Sequence, residues 1–296
     1  MIRSLNSAVS GMKNHQTRLD VIANNVANVN TFGFKSSRVT FKDMFSQTTQ
    51  GASAGSAVLG GTNPRQIGLG MSVQSIDLQF SGTGSAYTTD NLWDMMIEGD
   101  GLFIVSEGDT SNREFHYTRA GNFTVSPAEG NSPDTPDTNL FDLVTADGLF
   151  VMGVMTGDPS EEKVEAPETA EDLDRIQIPG NAMGVSVDQQ GNVSAIIDNE
   201  VVYIARIGVA QFANYPGLEK IGDNLYDPTT NSGAPVYSAP AENGAGKLKS
   251  GALEMSNVNL AQEFSDLITT QRGYQANARI ITVSDTILEE LINLKR

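Results

Sequence analysis

The sequence predicts an α+β fold, with N- and C-terminal helices forming a coiled-coil-like terminal domain and a central antiparallel all-β domain. Three observations predict it. Both ends place apolar residues at alternating intervals of four and three, the spacing of a helix-packing seam. The middle changes to short β-branched and aromatic runs separated by turn residues. Charge divides at the same places. Residues 1–42 carry a net +5, residues 43–250 a net −20 and residues 251–296 a net −2, within a total of −17 over 296 residues. A chain of this length has a soft expectation of about two domains.

The first element is a helix over about residues 4–29, roughly 39 Å long at 1.5 Å per residue. Its seam is Leu5, Val9, Met12, Gln16, Leu19, Ala23 and Val26, widened by Ile2, Ala8, Ile22 and Val29. Asn30-Thr31-Phe32-Gly33 supplies the stop, with Gly33 free to take a positive φ. Asn24, Asn25 and Asn28 sit inside this otherwise good helix. Asn is a poor interior helix former. Amides placed there gain meaning when they hydrogen-bond a neighbouring chain or backbone, and otherwise mark a fraying end.

Residues 31–75 are expected to form an extended connector. Its stretch Gln47–Gly70 is rich in Gly, Ser, Ala and Thr and poor in large apolar residues. A β-rich outer domain then covers 76–256. Met95-Met96-Ile97 and Leu102–Val105 flank a Gly99-Asp100-Gly101 turn. Phe115–Tyr117, Val185–Val187, Asn192–Ile197 and Val201–Phe212 read as further strands, with turns at Asp147-Gly148, Gln190-Gly191-Asn192 and Asp198-Asn199-Glu200. Two acidic or Pro-rich loop insertions are expected at about 126–139 and 157–174. The second holds eight acids with Pro159 and Pro167.

The last element is a second long helix, from Asn259 to about Leu294, on the order of 52 Å. Leu260, Phe264, Leu267, Gln271, Tyr274, Ala278, Ile281, Asp285, Leu288 and Ile292 hold the four–three alternation. Asn259 reads as the N-cap, with Gln262 as capping-box partner. Lys295 and Arg296 suit the negative end of the macrodipole. With the first helix it defines a terminal domain of residues 1–30 and 257–296. The polar seam residues Gln16, Gln271 and Asp285 leave two readings open. The ends form a hairpin on their own domain, or they also pair with copies of themselves, where polar positions fix register.

Composition excludes more than it identifies. A pI near 4.4 disfavours nucleic acid and anionic membrane surfaces, and no apolar run is long enough to span a bilayer. Cys is absent, which removes disulfides, thiolate zinc sites and cysteine nucleophiles. Only His15 and His116 are present. No calcium-loop motif, P-loop or dinucleotide fingerprint occurs. Residues 1–13 lack the apolar segment of a cleavable signal peptide, so none is expected. No catalytic residue, cofactor or metal is expected.

The run Leu19-Asp20-Val21-Ile22-Ala23-Asn24-Asn25-Val26-Ala27-Asn28-Val29-Asn30-Thr31-Phe32-Gly33-Phe34-Lys35 closely resembles the N-terminal signature of bacterial flagellar rod and hook proteins. Gly251–Leu260 resembles that family's lead into its C-terminal helix, and Gln271-Arg272-Gly273-Tyr274-Gln275-Ala276-Asn277 its helix motif. Tyr117–Phe123 and Ile221–Tyr226 resemble motifs of its β domain. Within the family, Phe41–Phe45 followed by Gly61–Gly70 looks like the hook subunit, with the distal rod subunit as the alternative.

The resemblance implies a tubular homopolymer, exported unfolded by the flagellar type III apparatus without a cleavable signal and located outside the cell. The terminal helices would line the inner tube and the β domain would form the shell. Implied partners are further copies, the distal rod protein, the hook cap and the hook–filament junction proteins. The expected assembly residues are Leu5, Val9, Met12, Leu19, Asn24, Asn25, Asn28, Asn30, Gly33, Leu260, Phe264, Leu267, Gln271, Tyr274, Ile281 and Leu288. An acidic secreted β-domain binding module is the competing class.

Overall fold

A computed structural model of the protein describes residues 2–55, 60–80, 82, 84–108, 113–128, 139–156, 167, 169–197 and 200–294. Most of the two expected insertions, the Asp198-Asn199 turn, and Lys295 with Arg296 lie outside the described residues. The chain forms two compact units. One comprises residues 1–28, 36–78 and 258–296, the other residues 29–35 and 79–257.

The first unit holds α1 (Ile2–Ala27), β1 (Ser37–Asp43), β2 (Ser46–Gln50), β3 (Arg65–Gly68), β4 (Met71–Leu78) and a C-terminal helix, α2 (Leu260–Asn293). The stretch expected as an extended connector therefore folds back on itself. β1 pairs antiparallel with β4, from Ser37 opposite Leu78 to Asp43 opposite Met71. β2 pairs antiparallel with β3 farther out. Every residue of β2 and β3 is exposed, so this hairpin has no buried face. Its backbone ladder forms despite low apolar content because Thr48, Gln66 and Thr49 add cross-strand side-chain hydrogen bonds.

The helix boundaries follow local chemistry. Gly33 has φ +69°, in a turn after α1, where an added Cβ would lie 2.6 Å from the Ala120 backbone nitrogen. Asn259 caps α2, its side chain accepting from the amides of Ala261 and Gln262 at 3.1 and 3.4 Å. The expected return bond from Gln262 is replaced. Its Nε2 donates to Asp266 one turn on.

The second unit is antiparallel throughout. In chain order its strands are β5 (Ala86–Thr88), β6 (Met95–Glu98), β7 (Leu102–Glu107), β8 (Glu114–Thr118), β9 (Phe123–Pro127), β10 (Leu140–Thr145) and β11 (Phe150–Met155). There follow β12 (Asp174–Arg175), β13 (Gln177–Pro179), β14 (Met183–Val187), β15 (Asn192–Ile197), β16 (Glu200–Ile207) and β17 (Val209–Gln211). The last are β18 (Glu219–Gly222), β19 (Leu225–Asp227), β20 (Val236–Ser238), β21 (Lys247–Ser250) and β22 (Ala252–Glu254). The main sheet runs β14-β15-β16-β11-β7-β8-β19-β18. The two strands expected around Gly99–Gly101 are β6 and β7, yet β6 pairs with β21 and β7 with β8, β11 and β17.

The central strands bury successive residues on both faces, as in β7, where Leu102 to Ser106 are all buried. Met95, Ile97, Phe103, Val105, Phe123, Leu143, Val151, Val193, Ile207 and Val209 are all buried in one cluster. Phe103 and Phe123 meet edge to face at 5.1 Å. Each such side chain contributes about 1.5–3 kcal/mol relative to exposure. That is enough to hold short strands whose backbone pairing alone is marginal.

Candidate assembly interface

The terminal helices pair through small and polar residues. On α1 the buried stripe is Ala8, Gly11, Ile22 and Asn25, with His15 and Arg18 half-buried between them. On α2 it is Thr270 and Ser284, with Glu263, Asp266, Gly273 and Asn277 half-buried. Both stripes keep the four–three spacing, but each runs one residue earlier than the seam expected from the large apolar residues. One residue is about 100° of helix rotation, so the expected seam is turned to the side of the pair.

Close approach explains the choice. An added Cβ on Gly11 would lie 2.7 Å from Asn277 Nδ2, and one on Gly273 would lie 2.9 Å from His15 Nε2. Arg18 Nη2 reaches Asp266 Oδ1 at 3.1 Å, and Asn25 Nδ2 donates to Glu263 Oε1 at 3.1 Å. The helices are thus antiparallel. Gly11 with Asn277, His15 with Gly273 and Asn25 with Glu263 all fall in a single register.

Asn25 is the most connected residue of the pair. It is 1% exposed, its Nδ2 donates to Ser37 O at 2.8 Å, and its Oδ1 accepts from Ser37 N at 3.0 Å. One amide therefore extends the β1 backbone like a strand partner and also holds α2. Burial pushes the Glu263 carboxyl above its ordinary value, against the opposing hydrogen bond from Asn25. His15 packs edge to face on Phe41, and burial, followed by the Arg18 charge, lowers its pKa.

The other expected residues fall in three groups. Leu5, Met12, Leu19, Asn28, Leu267 and Ile281 are half-buried along the flanks, and Gly33 is buried in its turn. Asn28 Nδ2 bonds back to the Asn24 carbonyl and side chain, both at 3.0 Å, while Asn24 and Asn30 are exposed. Val9, Leu260, Phe264, Gln271, Tyr274 and Leu288 face solvent.

The register also places the end of the pair. Residue 286 of α2 lies opposite Ile2, the first described residue of α1, and Ile287–Asn293 run past that residue by about 10 Å. Leu288 and Leu291 follow Ser284 by four and seven residues, each within about 40° of its direction around the helix. They are 37% and 48% exposed. This side of α2 turns from small and polar to large and apolar past the residue opposite Ile2. Ile287, Ile292 and Leu294 add to this patch, and Ile280, Val283 and Ile268 are exposed farther back along α2. Ile268, Ile280, Val283, Ile287 and Leu291 lay off the expected seam. The signal for them is the second apolar series 280, 283, 287, 291, which keeps helical spacing. Exposed apolar surface of this kind is a candidate contact site.

Among the described residues, no group of three or more His, Asp or Glu side chains could hold a metal ion, and no helix is long and apolar enough to cross a membrane.

Two paired terminal helices with an exposed apolar stretch on α2, joined in sequence to an antiparallel β unit, are the parts that comparison with known proteins also distinguishes. Residues 5–35 match the family described as flagella basal body rod protein. Residues 96–195 match the flagellar hook protein FlgE/F/G D1 domain. Residues 249–294 match the flagellar basal body rod FlgEFG protein C-terminal family. The flagellar basal-body rod protein FlgG of Bacillus subtilis is 47% identical over 298 residues, covering 100% of both chains. FlgG of Agrobacterium fabrum is 34% identical over 96% of both. The flagellar hook protein FlgE of Borreliella burgdorferi is 29% identical in an alignment 446 residues long, covering 100% of both.

The chain belongs to the flagellar basal-body rod and hook protein family. Within it, the rod relatives fit better than the hook relatives that residues 41–70 suggested. The hook alignment must accommodate many residues this chain lacks, whereas the Bacillus subtilis rod protein aligns at nearly equal length.

Proposed function

We propose that the protein is a rod subunit of the flagellum, the distal rod being the position it fits, and that it assembles with copies of itself into a straight tube. It acts as a passive torque-bearing element and not as an enzyme. Residues 1–30 and 257–296 form the inner wall, residues 76–256 the outer shell, and residues 31–75 set stiffness. The neighbours at its ends are hook and other rod subunits. The chain reaches this place outside the cell through the flagellar export apparatus. The observation that carries the reading is the apolar extension of α2 beyond α1, a surface that helix packing requires to be covered and that a further copy can cover.

The shared termini explain why the hook was the first expectation. Family models described for rod and hook proteins together match the β unit and the C-terminal end, so those parts do not separate the two. Negative-stain electron microscopy of the concentrated protein tests the proposal. Straight tubes are expected. Curved tubes would restore the hook assignment, and absence of any polymer across protein and salt concentration would overturn self-assembly.

A further inference from the structure

Three residues far apart in sequence, Lys35, Arg119 and Glu254, form one buried ion cluster in the β unit. Glu254 is in β22, just before the chain leaves for α2. Its carboxylate accepts from Lys35 Nζ at 2.9 Å, from the Gly84 amide at 2.9 Å, and from Arg119 Nε. These three charged side chains are at most 4% exposed. Arg119 also donates to the carbonyls of Ile97 at 2.7 Å and Gly99 at 2.6 Å, and to that of Gly101. Lys35 donates to the Gly82 carbonyl at 3.1 Å.

The segment 29–35, which follows α1, is held to the same place by its backbone. The Gly33 amide donates to the Glu254 carbonyl at 2.8 Å. Lys220 Nζ donates to the Lys35 carbonyl at 3.1 Å and lies 4.4 Å from the Phe34 ring centroid. Asn224 Nδ2 donates to the Phe32 carbonyl at 3.4 Å.

A core built for stability alone does better with apolar side chains, because desolvating three charges costs several kcal/mol per ion before their attraction offsets it. What charges add is geometry, since only one arrangement satisfies all donors. The cluster also joins residues 219 positions apart, one just after the first helix and one just before the second.

We propose that Lys35, Arg119 and Glu254 are positioning residues for assembly. They fix the chain segment leaving α1 against the segment entering α2, so that the signature segment 29–35 is locked only when both ends of the β unit are present. This rests on the self-assembly reading. An incomplete chain lacking Glu254 then carries a mobile 29–35 segment and is not incorporated.

The test uses full-length chains with Glu254→Gln and Lys35→Met, plus Lys35→Arg as the conservative variant. Amide hydrogen exchange is read by mass spectrometry, and tube formation by electron microscopy. Exchange in residues 30–35 is expected to rise at least tenfold in Glu254→Gln and Lys35→Met. Protection in β7, β8 and β11 should stay unchanged, and tubes should be lost or irregular. Lys35→Arg should recover part of both. Unchanged exchange at 30–35 would overturn the proposal. So would loss of protection spread evenly over the sheet in both variants, which is general destabilisation. If the unsubstituted chain forms no tubes, self-assembly fails, while the exchange measurement still decides whether the cluster positions the segment.

Discussion

Gly11 of α1 faces Asn277 of α2 with no room for a side chain between them, since a Cβ on Gly11 would stand 2.7 Å from the Asn277 amide nitrogen. This contact sets how near the two helix backbones come and, with the His15–Gly273 contact, fixes their register.

Gly11→Leu should therefore force the helices apart. The expected cost is about 1–3 kcal/mol, the usual range for overpacking, read as a lower urea midpoint of the helical circular dichroism signal. Adding Asn277→Gly should return part of the loss. An unchanged midpoint in Gly11→Leu would mean that the helices are not packed through this stripe.

Asn25→Ala leaves the Ser37 amide and carbonyl without their side-chain partner in a buried site. A loss of about 1–3 kcal/mol is expected, since orphaned polar groups cost their desolvation. Asn24→Ala, on the exposed side, should stay within about 0.5 kcal/mol. Paired denaturation curves of the two variants check this, and equal effects would contradict the placement of Asn25.

Leu288→Asp with Leu291→Asp alters the part of α2 that runs past Ile2 of α1. Helix content and melting of the monomer should hardly change. The concentration needed for polymer should rise at least tenfold, because two exposed apolar contacts become two desolvated charges. Sedimentation across a concentration series separates the outcomes. Normal assembly would remove the extension from the interface.

Two groups give distinct acid limbs. The Glu254 carboxyl, which burial alone would raise, is held below its ordinary value by Arg119 and Lys35. Its stabilisation is complete above the ordinary carboxylate range and is lost as pH falls through the lowered folded value. His15, lowered by burial and then by Arg18, favours its neutral form when folded, so stability declines as pH falls below 6.5, its ordinary value. His15→Gln should flatten the loss that starts near pH 6.5 and leave the lower limb. Glu254→Gln should remove the lower limb. Stability measured across pH in each variant tests both signs, and an unchanged profile in either would refute that assignment.

The fold class was legible because period is a backbone property. The four–three spacing at both ends and the short β-branched and aromatic runs between them do not depend on which face is buried. Which face packs between the two helices of one chain was not legible. Leu5, Val9, Leu260 and Phe264 are the obvious apolar residues, yet Gly11, Thr270, Gly273 and Ser284 make the contact. A seam of small residues is invisible to a reading that ranks positions by hydrophobicity. Asn25 was visible as an anomaly, since an amide inside a helix asks for a partner, but Ser37 and Glu263 could not be named. β1–β4 was hidden for a similar reason. Its residues are half-buried or exposed, and its pairing runs between segments about 30 residues apart. The charges of Lys35, Arg119 and Glu254 gave no sign of burial, because each is ordinary surface chemistry until the others arrive.

In carpentry, two members cut flush meet in a butt joint, which resists compression and opens under bending. When one member runs past the end of the other, the result is a lap joint, and bending is carried along the timber itself. The terminal helices here are cut unevenly by about 10 Å. Wherever one copy meets the next along that direction, continuous α2 backbone would cross the plane of the break. The hydrogen bonds of a helix, and not the cohesion of two abutting faces, would then take the load that rotation imposes.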